Sequence, residues 1–170
     1  KDVPTNLTPE TIRLICHRNF GIGSDGILFG PLPSEKCQFR LQILNPDGGE
    51  AEKSGNGLRI FSRYLWDSGL VRCDEFSIET LGGTVKATVL DSGKTVRIEM
   101  GRVSFSSSKI PVLGSDREVI NEKLNLGGRE FSFCAATIGN PHCVIPVSEL
   151  DSSMAQKYGP LAERHELFPN

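Results

Sequence analysis

Glu52-Lys53-Ser54-Gly55-Asn56-Gly57-Leu58-Arg59 places a small hydroxyl side chain and a Gly-Asn-Gly turn directly before an apolar-periodic segment. Leu58, Phe61 and Leu65 recur at helical spacing, and Ile60 and Tyr64 widen the stripe. Residues 57–68 are therefore expected to form a helix buried on most sides, stopped by Gly69. Backbone N–H groups at a helix start make a ready anion site, and the helix dipole favours negative charge there. A side chain at residue 54 faces such an anion or acts on its neighbouring atom. Serine is a poor acid and a poor base without help, so the chemistry at this position is the question the stretch poses.

Upstream, Thr8-Pro9-Glu10 reads as a helix start with a hydroxyl cap, proline at the first helical position and an early acid. Ile12, Ile15 and Cys16 follow at helical spacing, and Gly21 ends the run. Residues 27–29 form a short strand, and residues 38–44 alternate with Phe39, Leu41 and Ile43 on one face. Asn45-Pro46-Asp47-Gly48-Gly49 is dense turn chemistry. Downstream, Phe76 and Ile78, then Val85, Ala87 and Val89, then Val96, Ile98 and Met100 alternate as strands, with a hairpin at Asp91-Ser92-Gly93. Residues 101–116 read as a linker or crossover. A second β region then carries Val119-Ile120 and Phe131, Phe133 and Ala135, with another strand at 143–146. A short helix over 152–163 is expected to be interrupted at Gly159-Pro160.

A chain of 170 residues with 38% apolar and 24% charged residues suits one ordinary domain or two small lobes. A net charge of −2 gives no electrostatic case for nucleic acid or a membrane surface. No apolar run reaches the roughly 18 residues of a membrane span, and no signal peptide is visible. The cysteines, Cys16, Cys37, Cys73, Cys134 and Cys143, are odd in number, irregularly spaced and without a C-x-x-C pair. They read as reduced thiols of a cytoplasmic protein rather than as a disulfide framework or a zinc site. Cys16, Cys73 and Cys134 fall where core residues are expected.

Several motifs admit a plain reading when taken singly. Gly21-Ile22-Gly23-Ser24-Asp25-Gly26 matches the dinucleotide fingerprint, but that site needs a strand before the glycines and a helix after them. Here the order is reversed, so the glycines serve a helix end and a tight turn. Asn45-Pro46-Asp47-Gly48 reads as a loop, Asn140-Pro141-His142 as a turn before a surface histidine, and Ser54 as a helix cap. Arg59 and Arg63, one turn apart, read as a solvated or salt-bridged face.

Read together, four segments in order resemble the diaminopimelate epimerase family. They are Arg18-Asn19-Phe20-Gly21-Ile22-Gly23-Ser24-Asp25-Gly26; Asn45-Pro46-Asp47-Gly48-Gly49-Glu50 with Ser54-Gly55-Asn56-Gly57-Leu58-Arg59; Ile138-Gly139-Asn140-Pro141-His142-Cys143; and Gly159-Pro160-Leu161 through His165-Glu166-Leu167-Phe168-Pro169. The resemblance implies an α+β fold of two pseudo-symmetric lobes, each a curled mixed sheet around a central helix. Residues 1–103 would form the first lobe without its opening strand. Residues 104–170 would begin an incomplete second lobe.

The family inverts an amino acid's α-carbon without a cofactor, using two facing cysteines as base and acid. By resemblance, Ser54 occupies the position of the first catalytic cysteine, and Gly55 and Asn56 offer N–H groups to the substrate α-carboxylate. Asn45 and Asn140 match asparagines that hydrogen-bond the substrate, and His142 matches a histidine that tunes the thiols. Pro46 stands where alanine is common. The second base would lie beyond Asn170, so residues 1–170 alone are expected to be inactive. The implied function is epimerisation of LL- to meso-diaminopimelate in lysine and peptidoglycan precursor synthesis. The partner is an amino-acid substrate, with a homodimer left open and with no nucleic acid, membrane, metal or cofactor. Because a hydroxyl replaces a thiol at Ser54, two alternatives stay open: a racemase or isomerase of another amino acid, and a non-catalytic amino-acid-binding homologue.

Overall fold

The computed structural model describes residues 7–72 and 74–169. The chain forms two compact α+β units, Lys1–Gly101 and Arg102–Asn170. Cys73 lies outside the described residues.

In the first unit, helix α1 (Pro9–Cys16) starts as its residues dictate. Thr8 Oγ1 accepts from the Thr11 N–H at 3.2 Å, and Pro9 fills the first turn, where no N–H is needed. Ile12 and Cys16 bury against Phe29 and Leu44. The chain then doubles back onto α1, with the Ile22 N–H donating to the Ile15 carbonyl at 2.8 Å. Gly21 is demanded by that approach, because a Cβ there would lie 2.0 Å from the Leu14 carbonyl oxygen.

Strands β1 (Ile27–Leu32), β2 (Phe39–Leu44), β4 (Phe76–Thr80), β5 (Gly83–Leu90) and β6 (Thr95–Glu99) lie side by side in chain order. A two-residue strand β3 (Glu50–Ala51) also pairs with β2. The sheet is mixed: β2 and β4 run parallel, with Phe39 opposite Ile78, and every other neighbouring pair is antiparallel. Period-two burial along β4 and β5 turns Phe76, Ile78, Val85, Ala87 and Val89 to one face. Helix α2 (Gly55–Asp67) lays Leu58, Phe61 and Leu65 on that face, each at most 2% exposed. Burying such a side chain contributes about 1.5–3 kcal/mol.

The expectation of a helix buried on most sides is corrected here. Ile60 is 62% exposed and Tyr64 51%. At about 100° per residue, Ile60 sits roughly opposite Leu58, so a helix lying on one sheet face leaves it outside. The Arg63 side of α2 is salt-bridged as read, with Nε 2.9 Å from Asp67 Oδ1 and Nη1 donating to the Gly93 carbonyl at 2.7 Å. Asp91 and Ser92 take positive φ in the β5–β6 hairpin, where the turn was expected.

The second unit holds β7 (Glu122–Leu126), β8 (Arg129–Thr137), β9 (Pro141–Val144) and helix α3 (Ser152–Glu163). Its described strands form one antiparallel sheet in that order. Its core gathers Val119, Leu124, Leu126, Phe131, Phe133 and Ala135. Several expectations change. The stretch read as a linker buries Ile110 and Val112, because Ser104, Phe105 and Ser107 bond to Thr137, Val119 and Arg117 as ordered structure. The expected strand at Val119-Ile120 is displaced to β7. Asn121 takes φ 55, which breaks extended pairing after Val119. Cys134 is half-buried rather than core, because β8 alternates and turns Phe133 and Ala135 inward instead. The last helix is not interrupted: α3 runs through Gly159 and Pro160. Gly159 has no Cβ to clash with the proline ring, so the helix loses one hydrogen bond and continues. Among the described residues no helix is long and apolar enough to cross a membrane.

Candidate active site

Asn45 and Ser54 stand at the two ends of one local device. Strands β2 and β3 form a hairpin, with Leu44 opposite Glu50, closed by the Asn45–Gly49 turn. The Asn45 N–H donates to the Gly49 carbonyl at 2.8 Å, and the Gly48 N–H returns to the Asn45 carbonyl at 3.0 Å. Three residues, Glu52 to Ser54, lead from β3 into α2. The hairpin therefore fixes the half-buried Asn45 and the segment that delivers Ser54 within one unit.

Ser54 is the N-cap of α2, with φ −139 and ψ 114. Its Oγ accepts the Gly57 N–H at 3.0 Å, and its carbonyl takes the first helical bond, from Leu58 N–H at 2.8 Å. The plain reading of this serine as a cap is thus correct, whatever else it does. Gly57 is required by packing: a Cβ there would lie 2.9 Å from Leu28 Cδ2 and 3.2 Å from Ser54 Oγ. Gly55 differs, since a Cβ there would meet nothing within 4 Å. The first turn of α2 carries no acid. An open, acid-free helix start with free N–H groups can receive a carboxylate. The exposed Asn56 keeps its backbone N–H at that start, while its side-chain oxygen accepts from Arg59.

Lys53, between β3 and Ser54, was not singled out by sequence. It is 8% exposed, its Nζ donates to the Met100 carbonyl at 3.1 Å, and burial pushes its pKa down. In sequence it looks like any solvated lysine, because the groups packed around it, Met100 and Gly82, come from segments distant in the chain.

Asn140 and His142 belong to the second unit. The β8–β9 turn places Asn140 just before β9, with its side-chain oxygen buried and without a partner among the described residues. His142 Nδ1 lies 2.9 Å from the Asn140 carbonyl, a distance that suits an Nδ1–H donor and leaves Nε2 free. His142 is exposed on β9 beside a cleft of about 480 Å³ lined by Ala135, Pro141, Cys143, Ile145 and Phe168. The Cys143 residue is exposed as a whole, yet desolvation at its thiol, and secondarily the neighbouring Cys134, raise its pKa. This cleft left no signal in the sequence, since its walls come from four separate segments. Among the described residues no group of three His, Cys, Asp or Glu side chains gathers to hold a metal ion.

The geometry can be set beside known proteins. The structure resembles a hydroxyproline epimerase from Agrobacterium vitis with trans-4-hydroxy-L-proline bound, at TM-score 0.60 and 18% identity, over 91% of this chain and 42% of that one. It also resembles a probable proline racemase from Agrobacterium radiobacter at TM-score 0.58 and 16% identity, over 94% of this chain and 47% of the other. These two likenesses establish the fold. Closer in sequence is a protein of Nostoc sp. named diaminopimelate epimerase 2, 64% identical over 170 residues, which are all of this chain and 60% of that relative. A diaminopimelate epimerase of Desulfitobacterium hafniense is 41% identical over 95% of this chain and 58% of its own length. The chain thus spans about 60% of the length of the curated relatives it matches. The sequence profile described as diaminopimelate epimerase matches residues 1–106, through β1 to β6 and the start of α2, and the chain belongs to that family.

Proposed function

We propose that the whole protein is a cofactor-independent epimerase that converts LL-diaminopimelate to meso-diaminopimelate in lysine and peptidoglycan precursor synthesis. The observation that carries this reading is the open, acid-free start of α2 beside residue 54. The Gly55 and Asn56 N–H groups hold the α-carboxylate there, and Asn45 and Asn140 donate further hydrogen bonds to the substrate. One base takes the α-proton, leaving its electron pair on a carbanion delocalised into the held carboxylate. An acid on the opposite face returns a proton to that carbon, which inverts it. Residue 54 stands at one of the two faces, and His142 tunes the acid–base pair. The substrate is a small amino acid, without nucleic acid or membrane as partner, and the compartment is the cytoplasm.

Ser54 favours a second reading beside the first. Its oxygen already serves as a cap acceptor, and a hydroxyl ionises far less readily than a thiol near neutral pH. A homologue that binds an amino acid without turning it over, or one that isomerises another amino acid, fits that observation. The test follows the α-proton signal of diaminopimelate in deuterated water with the whole protein, native and Ser54→Cys. The variant is expected to exchange and epimerise, and the native protein to do so at least about 100-fold more slowly. Absence of exchange in both sinks the epimerase reading. Tight amino-acid binding by calorimetry with no exchange in the native protein favours the second.

A further inference from the structure

Helix α1 grips the Asn45 turn on both sides. Its buried stripe, Ile12 and Cys16, packs with Leu44, the residue directly before Asn45. Pro9 and Arg13 lie four residues apart, on one neighbouring face of the helix. Both meet the far corner of the turn. Arg13 Nε donates to the Asp47 carbonyl at 2.8 Å, across 34 residues of chain. A Cβ at Gly48 would lie 2.7 Å from Pro9 Cβ and 2.9 Å from Pro9 Cα, so the helix rests directly on the backbone there.

The turn's own hydrogen bonds do not hold that corner. Asn45 pairs through its N–H with the Gly49 carbonyl and through its carbonyl with the Gly48 N–H, and Asp47 Oδ1 accepts the Gly49 N–H at 2.8 Å. The Asp47 carbonyl stands outside this set and takes Arg13 instead. Arg13 also lies 3.8 Å from Glu10, but both side chains are exposed, where such a pair contributes little. With Pro46, Asp47 and Gly49 exposed, the turn by itself opens readily. Asn45 therefore sits between two points fixed by one helix, Leu44 in the core and Asp47 on Arg13.

We propose that Arg13 is a positioning residue of the substrate site: its Nε holds the 45–49 turn against α1 and so keeps Asn45 in the conformation that binds substrate. This rests on reading Asn45 as a contact to an amino-acid substrate. Without the tie the turn is open more often, and the apparent affinity falls with the fraction of molecules in which it is closed.

The experiment uses the whole protein with Ser54 unchanged. It measures diaminopimelate affinity by calorimetry and, without substrate, amide hydrogen exchange of the peptide spanning residues 45–49 by mass spectrometry. Arg13→Met and Arg13→Ala remove the donor and are expected to weaken affinity, and to speed exchange at the turn, by about three- to tenfold. Arg13→Gln carries an N–H donor at the same distance along the stem without the charge, and is expected to stay within about twofold on both measures. Thermal unfolding checks that each variant folds. Loss of the fold in both donor-free variants marks Arg13 as structural and overturns the proposal, as does unchanged exchange in either folded one. Faster exchange with unchanged affinity overturns it too, and so does an Arg13→Gln protein as weak as Arg13→Met, which would assign the effect to charge. If the protein with Arg13 intact does not bind diaminopimelate, the epimerase reading falls and the proposal with it; binding that ignores Arg13 removes the proposal alone.

Discussion

Ser62 sits on the buried face of α2, fully excluded from water, with an Oγ that has no hydrogen-bond partner among the described residues. Leaving a hydroxyl unpaired in a core costs about 1–3 kcal/mol, and alanine is the better helix former. Ser62→Ala should therefore stabilise the protein by about 1 kcal/mol, read as a raised urea midpoint at unchanged slope; a lowered midpoint would mean that the hydroxyl is satisfied in solution. At this scale the sequence was informative wherever a residue type has a single local use. Thr8 and Ser54 as caps and the Asn45 turn were legible because capping and turn chemistry act over three or four residues. Lys53, Ser62 and Gly57 were not, because burial of a polar group and the space left by a missing Cβ depend on segments distant in the chain.

Elements were legible in proportion to their periodic signal. The stripes of β4, β5 and α2 recur several times and fall where they were read. Ile60 and Tyr64 misled because an apolar residue on a helix says nothing about whether a second layer covers it. Strand β7 was missed because Leu124 and Leu126 give only two apolar positions, flanked by Lys123 and Asn125. Proline was overweighted in α3. Pro160 lies in the last turn of an exposed helix and removes one donor without ending it. Pro160→Ala should restore that hydrogen bond and raise stability by about 1–3 kcal/mol, measured by thermal unfolding of the whole protein. No gain would place the helix end before residue 160 in solution.

Over the whole molecule, the two units respond to pH through different groups. In the second unit Arg117 pairs with Glu122 at 2.7 Å, and hydrogen bonding from Arg117 holds the Glu122 carboxyl below its ordinary range. The folded pKa is lowered, so the stabilisation is fully present above about pH 4.5 and is lost as pH falls through the depressed folded value. Glu122→Gln should cost stability at neutral pH and little in strong acid, as denaturant titrations at the two pH values would show; an equal loss at both would deny the pair its electrostatic role. Lys53 in the first unit works in the opposite range. Burial lowers its folded pKa, so the unfolded chain holds more protons between that value and about 10.5, and stability rises with pH across the window. The cap bond from Gly57 N–H to Ser54 Oγ has a further consequence, a trade between durability and reactivity at a single atom. Sulfur is a weak acceptor and a poor cap, so Ser54→Cys should lower stability by about 0.5–1 kcal/mol while giving residue 54 a group that ionises. Oxygen at this position makes the firmer helix and sulfur the readier base, and a chain that keeps oxygen has settled on the side of endurance.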